Sequence, residues 1–160
     1  MKIMPDQNAK PNKLVALAYV IVQVIILILL IFANMTFGIS VRKLVLTGGI
    51  LELIGIVGIF ISAYSIRTSL TAMPIPKEQG QLATNGLYRF VRHPMYTSVL
   101  VFSLGLALSS GEIYKYLLTI GLFVLFYYKS KYEEVYLVRK YTAYKDYANT
   151  TPRFIPFTKL

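Results

Sequence analysis

The 160-residue chain contains no cysteine, which excludes disulfides, thiolate zinc sites and cysteine nucleophiles. It contains one histidine. One imidazole and no thiol leave too few nitrogen and sulfur ligands for a transition-metal centre, so no metal is expected. Acidic residues are scarce as well: seven Asp and Glu stand against seventeen Lys and Arg, a net charge of +10. That sign would suit nucleic acid, but binding it would need a basic face on an exposed soluble domain. The basic residues instead flank apolar runs, as orientation in a membrane demands, so no nucleic-acid partner is expected. The sequence shows no internal repeat and no low-complexity segment.

What the chain has in quantity is apolar sequence, 56% of its residues. Residues 14–41 carry no charge over 28 positions. That is too long for the 7–15-residue core of a signal peptide, and no small-residue cleavage site follows, so the run reads as a retained helix. The first span is placed at 14–37 and the second at 44–66. The second opens after Arg42-Lys43, closes at Arg67, and is interrupted only by Glu52. A carboxylate inside a span faces protein or a water-filled cavity. Glu52 is therefore expected either to line a tunnel within the protein or to hydrogen-bond a neighbouring helix.

Residues 67–93 change character. Met73-Pro74-Ile75-Pro76 resists helix formation, and Gly80, Asn85 and Gly86 are turn signals. This is a long connecting loop, and such loops are often functional. Pro94 then suits the first turn of a helix, where its missing N–H has no partner to lose. The apolar run it opens ends at the turn signal Ser109-Ser110-Gly111, and another runs over 113–128. Both are short for full spans at 1.5 Å per residue, which predicts a helical hairpin. From Lys129 the chain becomes basic and tyrosine-rich, as expected of a helix leaving the bilayer to lie at its surface. Thr151-Pro152 ends it.

With four spans, the N-terminal segment, the 67–93 loop and the C-terminal tail share one side and hold fourteen of the seventeen Lys and Arg. The other side has only Arg42, Lys43 and Lys115. This asymmetry places both termini in the cytoplasm. The expected fold is one all-α integral membrane domain of about four transmembrane helices, 1–160. Residues 1–66 form two N-terminal spans. Residues 67–160 form a hairpin with a cytoplasmic loop and an amphipathic C-terminal helix.

Two polar clusters flank the hairpin: Arg92-His93-Pro94-Met95-Tyr96 at its mouth and Glu133-Glu134 beyond its end. Each has a plain structural reading. Arg92 and His93 serve as interfacial anchors, and Lys129 with Glu133 forms an i,i+4 pair worth a few tenths of a kcal/mol. In order along the chain, however, Leu82, Gly86 and Tyr88 precede the first cluster. Leu137 completes Glu-Glu-x-x-Leu, and Tyr144, Tyr147, Pro152 and Pro156 follow. Over about 66–156 this pattern resembles the isoprenylcysteine carboxyl methyltransferase family, whose signature reads L-x-x-x-G-x-Y, R-H-P-x-Y and E-E-x-x-L. The closer likeness is to its compact prokaryotic-type members.

The resemblance implies a membrane methyltransferase that uses S-adenosylmethionine, bound at the cytoplasmic face between the loop and the helix after the hairpin. It implies that Gln81, Leu82, Ala83 and Tyr88 line the cofactor pocket. His93, Pro94, Met95 and Tyr96 would contact the cofactor at the helix mouth. Glu133 would hold a polar group of it, with Glu134 beside. Lys129 would face the acceptor, so Lys129 and Glu133 carry the catalytic assignment. Three positions depart from the pattern. Ser98 stands where many relatives have glycine, Lys129 replaces the arginine of the eukaryotic enzymes, and Phe-Gly-x-x-Tyr becomes Tyr141-Thr142-Ala143-Tyr144.

Methyl transfer suits such a site. Aromatic faces and carbonyl dipoles stabilise a sulfonium donor, and positioning dominates an in-line displacement. A carboxylate acceptor is already ionised at neutral pH and needs no base. A hydroxyl would, with His93 or Glu134 as candidates. The expected partners are the bilayer and a lipophilic acceptor, which is a carboxylate or hydroxyl of an isoprenoid or other lipid, or an amine as in the related phospholipid N-methyltransferases. Two alternatives stand beside this reading: an NADPH-dependent reductase-like membrane protein, and a non-catalytic small membrane protein.

Overall fold

A computed structural model gives the structure of the protein and describes residues 12–33, 41–67, 74–75, 80–156 and 158. Five α-helices appear in it: α1 (Lys13–Phe32), α2 (Val45–Ser65), α3 (Pro94–Ser110), α4 (Ile113–Lys140) and α5 (Tyr144–Thr150), with a 3₁₀ turn at Gly86–Arg89. No β-strand is present among the described residues. The N-terminal segment 1–11, the expected end of the first span at 34–37, and most of the proline-bearing loop at 68–79 lie outside the described residues.

Local signals set the helix ends. Asn12 caps α1, its side chain accepting from the Leu14 and Val15 N–H groups at 3.0 and 3.3 Å. Pro94 takes the first turn of α3, and Gly111 stops that helix in the left-handed region at φ 71°, where glycine carries no Cβ penalty. Helices α1 and α2, of 20 and 21 residues, are long and apolar enough to cross a membrane. At 1.5 Å per residue each covers about 30 Å, the thickness of a hydrocarbon core. Their large side chains, among them Leu17, Ile21, Ile28, Leu46, Leu53 and Phe60, face outward. Helix α3 is apolar but has 17 residues. The expectation of about four spans thus meets two helices of full span length and one shorter apolar helix.

One expectation is corrected by α4. The charged stretch from Lys129 to Lys140 is not a helix of its own. The apolar run and the Lys129–Lys140 stretch are one uninterrupted helix of 28 residues. No proline or glycine breaks it between Phe123 and Lys140, so nothing turns the chain at the end of the apolar run. Rigidly continued, α4 carries Lys129, Glu133 and Glu134 out beyond its apolar part.

The closest packing joins α2 to α3. A Cβ on Gly48 would fall 2.3 Å from Ser109 Oγ, one on Gly55 2.6 Å from Phe102 Cβ, and one on Gly105 2.7 Å from the Glu52 backbone nitrogen. These contacts have no room for a side chain, which lets the two backbones approach as small residues do in membranes. Ser98 belongs to the same seam. Its hydroxyl donates to the Pro94 carbonyl at 2.8 Å and stands 2.4 Å from where a Gly58 Cβ would be. Serine at position 98 is accommodated here by glycine across the interface. Glu52 accepts from Ser109 Oγ at 2.7 Å, so of its two expected roles the structure displays the bond to a neighbouring helix.

Helix α1 packs antiparallel to α4, its register marked by Tyr132 to the Asn12 carbonyl, Lys129 to Gln23, and Tyr114 to the Ala33 carbonyl. Leu30, Val99, Leu122, Phe126 and Phe154 form the core where α1, α3, α4 and the C-terminal strand of chain meet.

Candidate functional site

At one end of the bundle Lys43, Glu112 and Lys115 lie together. At the other, the mouth of α3 meets the polar extension of α4, and the two sequence clusters come into contact. His93 is the residue before α3, placed there because Pro94 starts the helix. It is 6% exposed. Its Nε2 lies 3.0 Å from Glu134 Oε1, and its Nδ1 3.7 Å from Glu133 Oε2. Tyr96, on the first turn of α3, donates its hydroxyl to Glu133 Oε2 at 2.9 Å. Its ring stacks on His93 with centroids 5.3 Å apart, and on Phe126 at 4.6 Å. Pro94 and Met95 complete the turn that sets His93 and Tyr96 at this spacing.

The two adjacent glutamates differ. Glu134 is the more heavily bonded: besides His93, Arg153 donates Nε to Oε1 at 3.0 Å and Nη2 to Oε2 at 2.6 Å. Arg92 Nε stands 3.4 Å from the same Oε1, outside hydrogen-bond geometry. Burial alone would raise the Glu134 carboxyl, but hydrogen bonds and charge from His93 and Arg153 outweigh it and lower it to about 2. Glu133 carries the Tyr96 hydroxyl on one oxygen and is the more exposed, 25% against 13% for Glu134. A carboxylate has about four lone-pair sites, so Glu133 keeps acceptor capacity that Glu134 has used.

Lys129 does not make the expected pair with Glu133. Among the described residues the ion pairs omit it. Its ammonium donates instead to Gln23 Oε1 at 2.6 Å and lies 5.2 Å from the Tyr96 ring centroid. At 3% exposure it is a buried cation held by an amide and an aromatic face. Gln23, alone in the apolar run of α1, escaped sequence reasoning because a single glutamine in a span has no period or motif to mark it.

The stretch with Gln81, Leu82 and Ala83 is tied to the end of α4 by the Tyr141 hydroxyl, which donates to the Gly80 carbonyl at 2.7 Å. Tyr88 is buried, and its carbonyl accepts from the Tyr147 hydroxyl at 2.6 Å. Burial, then the charge of Glu133, pushes the Tyr88 phenol up, which keeps it protonated as a donor. The loop before α3 and the chain after α4 are therefore fastened to each other around the glutamates. Arg153 is the main residue the sequence reading missed. It sits in a segment read only as a helix terminator, and its bidentate partner is 19 positions away.

A methyl donor's polar groups would need acceptors and donors here, and the donor set fits. Glu133 retains free acceptor capacity. Tyr144 is 2% exposed, and its buried hydroxyl has no hydrogen-bond partner among the described residues. Its phenol is pushed up by burial and then by Glu134, and it would donate to a bound molecule. A separate apolar groove of about 330 Å³, lined by Phe123, Val124, Tyr127, Tyr128, Phe154 and Ile155, meets this cluster through Phe154, whose ring is 6.0 Å from His93.

Residues 43–144, more than half of the chain, match the model of the family described as phospholipid methyltransferase. The chain belongs to this family. The match spans α2, α3 and α4 and both polar clusters, and it bears out the recognition of a membrane methyltransferase related to the isoprenylcysteine-type enzymes. A family of lipid methyltransferases and two apolar helices make this a membrane methyltransferase of lipid-related function. That favours methyl transfer over the reductase-like and non-catalytic alternatives. No curated protein matches the sequence significantly.

Proposed function

We propose that this family member transfers a methyl group from S-adenosylmethionine to a lipophilic acceptor at the cytoplasmic face of the membrane. The observation that carries the reading is the unequal pair of glutamates. Glu134 is engaged by three hydrogen bonds, from Arg153 and with His93, whereas Glu133 carries only the Tyr96 hydroxyl and stands beside stacked aromatic rings. The cofactor supplies a methyl on a sulfonium, and an open carboxylate with aromatic faces suits a cation of that kind.

Glu133 would bind the donor's amine or ribose, and Tyr96 fixes that carboxylate's orientation. Tyr88, with Gln81, Leu82 and Ala83, would form the loop wall, and Tyr144 would donate from the opposite side. Lys129, buried and in no ion pair among the described residues, would face the acceptor. Its position favours an acceptor that carries a negative group, a carboxylate or the oxygen of a hydroxyl losing its proton. Nothing at the site needs to act as a base when the acceptor is already ionised. A second reading follows from the family description, phospholipid methyltransferase: the acceptor is the amine of a phospholipid headgroup.

Calorimetry of the detergent-solubilised protein with S-adenosylhomocysteine tests the cofactor reading. Binding is expected for the natural sequence. Glu133→Gln should weaken it by about tenfold to a hundredfold, the range for losing a hydrogen bond to a charged group. Failure of the well-folded natural protein to bind removes the reading. Methyl-tritium transfer into a total lipid extract then separates carboxylate, hydroxyl and amine products.

A further inference from the structure

The residues that hold the two polar clusters together include a segment outside the region matched to the family. Residues 151–155 follow α5 and lie across the mouth of α3. Three successive carbonyls of this strap accept from that mouth. Pro152 accepts from the Arg92 N–H at 2.8 Å, Arg153 from the His93 N–H at 3.1 Å, and Phe154 from the Thr97 hydroxyl at 2.9 Å. His93 makes no side-chain cap, and the strap carbonyls pair backbone donors there that would otherwise be left open. Phe154 is 4% exposed and belongs to the core. From this anchored segment Arg153 reaches back to α4 and grips both oxygens of Glu134.

We infer that Arg153 is a positioning residue: by clamping Glu134 it fixes the His93 ring and leaves Glu133 as the carboxylate that meets the ligand. Geometry gives the reason for arginine. A planar fork presents two parallel donors to one carboxylate and fixes its plane, which a lysine point charge cannot do. With the Glu134 plane fixed, Oε1 stands at hydrogen-bond distance from His93 Nε2. Without the clamp Glu134 can rotate, His93 loses its one close acceptor, and Glu133 at 3.7 Å from Nδ1 becomes the competing partner. The carboxylate reserved for the ligand would then be drawn into the protein's own network.

The inference rests on the cofactor reading for one of its two measurements and is independent of it for the other. The chain has one histidine, so ¹⁵N-labelled imidazole gives a single pair of nitrogen signals that belong to His93. In the full-length detergent-solubilised protein, Arg153→Gln should move the Nε2 signal, and Arg153→Lys should move it in the same direction. The signal staying where it is in both variants would overturn the inference. In calorimetry with S-adenosylhomocysteine, Arg153→Gln should weaken binding roughly tenfold, within the coupling range of residues in one network. On a Glu134→Gln background the same substitution should change affinity less than about twofold, because the clamp then has nothing to hold. Fully multiplicative losses would show that Arg153 acts by another route. If Arg153→Gln fails to fold, Arg153→Lys, which keeps the charge and loses the fork, carries both measurements. A natural protein that binds no S-adenosylhomocysteine defeats the cofactor reading alone, and the histidine signal still decides the clamp.

Discussion

Replacing Glu134 by glutamine tests whether the carboxylate is a working ionic hub or an incidental surface acid. Its carboxyl is lowered from 4.5 to about 2. At 1.36 kcal/mol per unit, the difference corresponds to about 3 kcal/mol of folded-state stabilisation near neutral pH. The side chain is 13% exposed, so solvent screening removes little of this. The sign follows from the direction of the shift. A carboxyl depressed by folding contributes in full above its unfolded value near 4.5, and that contribution is lost as pH falls toward about 2. Glu134→Gln should therefore be less stable than the natural protein by about 3 kcal/mol at pH 7, comparable to breaking a buried ion pair from one side. The gap should close as pH is lowered from about 4.5 to about 2. Reversible unfolding in mixed micelles, followed by circular dichroism at several pH values for both proteins, reads the gap directly. Taking the difference cancels the other acids, which titrate in both. A gap below about 0.5 kcal/mol at pH 7, the level of an exposed ion pair, or a gap that does not change with pH, would refute the assignment.

Other expectations follow from the packing and the remaining polar contacts. Gly55→Val forces a side chain into Phe102 and should destabilise the α2–α3 seam by about 1–3 kcal/mol or more. Gly49→Ala, on the same helix with nothing within 4 Å, should be neutral or raise stability slightly through about 1 kcal/mol of helix propensity; equal losses in the two would show that the seam is not close-packed. Gln23→Leu strips the amide from the buried Lys129 ammonium and should cost about 1–3 kcal/mol, with most of the loss removed when Lys129→Met is added; a loss unchanged in the double variant would disprove the contact. Glu52→Gln keeps an acceptor for Ser109 and should shift unfolding by less than about 1 kcal/mol, whereas Glu52→Leu leaves that hydroxyl with no acceptor there and should lose about 1–3 kcal/mol.

The parts of the fold legible in the sequence are those written in local chemistry. A charge-free run marked α1, and an apolar run broken only by Glu52 marked α2, because crossing a bilayer needs about twenty predominantly apolar residues. Pro94 and Gly111 marked the ends of α3 because their backbone constraints act within one turn. The clusters around His93 and Glu133 were legible as a pattern, since both lie inside the family-matched region. The loop over 68–79 carried proline marks that exclude a helix but none that set its path, and all of it except residues 74–75 lies outside the described residues.

Which of these residues touch was decided only by the tertiary structure. Sequence spacing offered Lys129 and Glu133 as an i,i+4 pair, yet the buried ammonium turned to Gln23 on a helix more than a hundred positions earlier. The sequence presented two neighbouring glutamates as equals. The folded chain made one an anchor with three hydrogen bonds and left the other with one, because a strap read only as a helix terminator delivers Arg153 to Glu134. Residue types and local periods state which chemistry the chain carries and where its helices run. Partner choice between buried charges depends on distances of a few ångströms across elements, and those are fixed only when the helices pack.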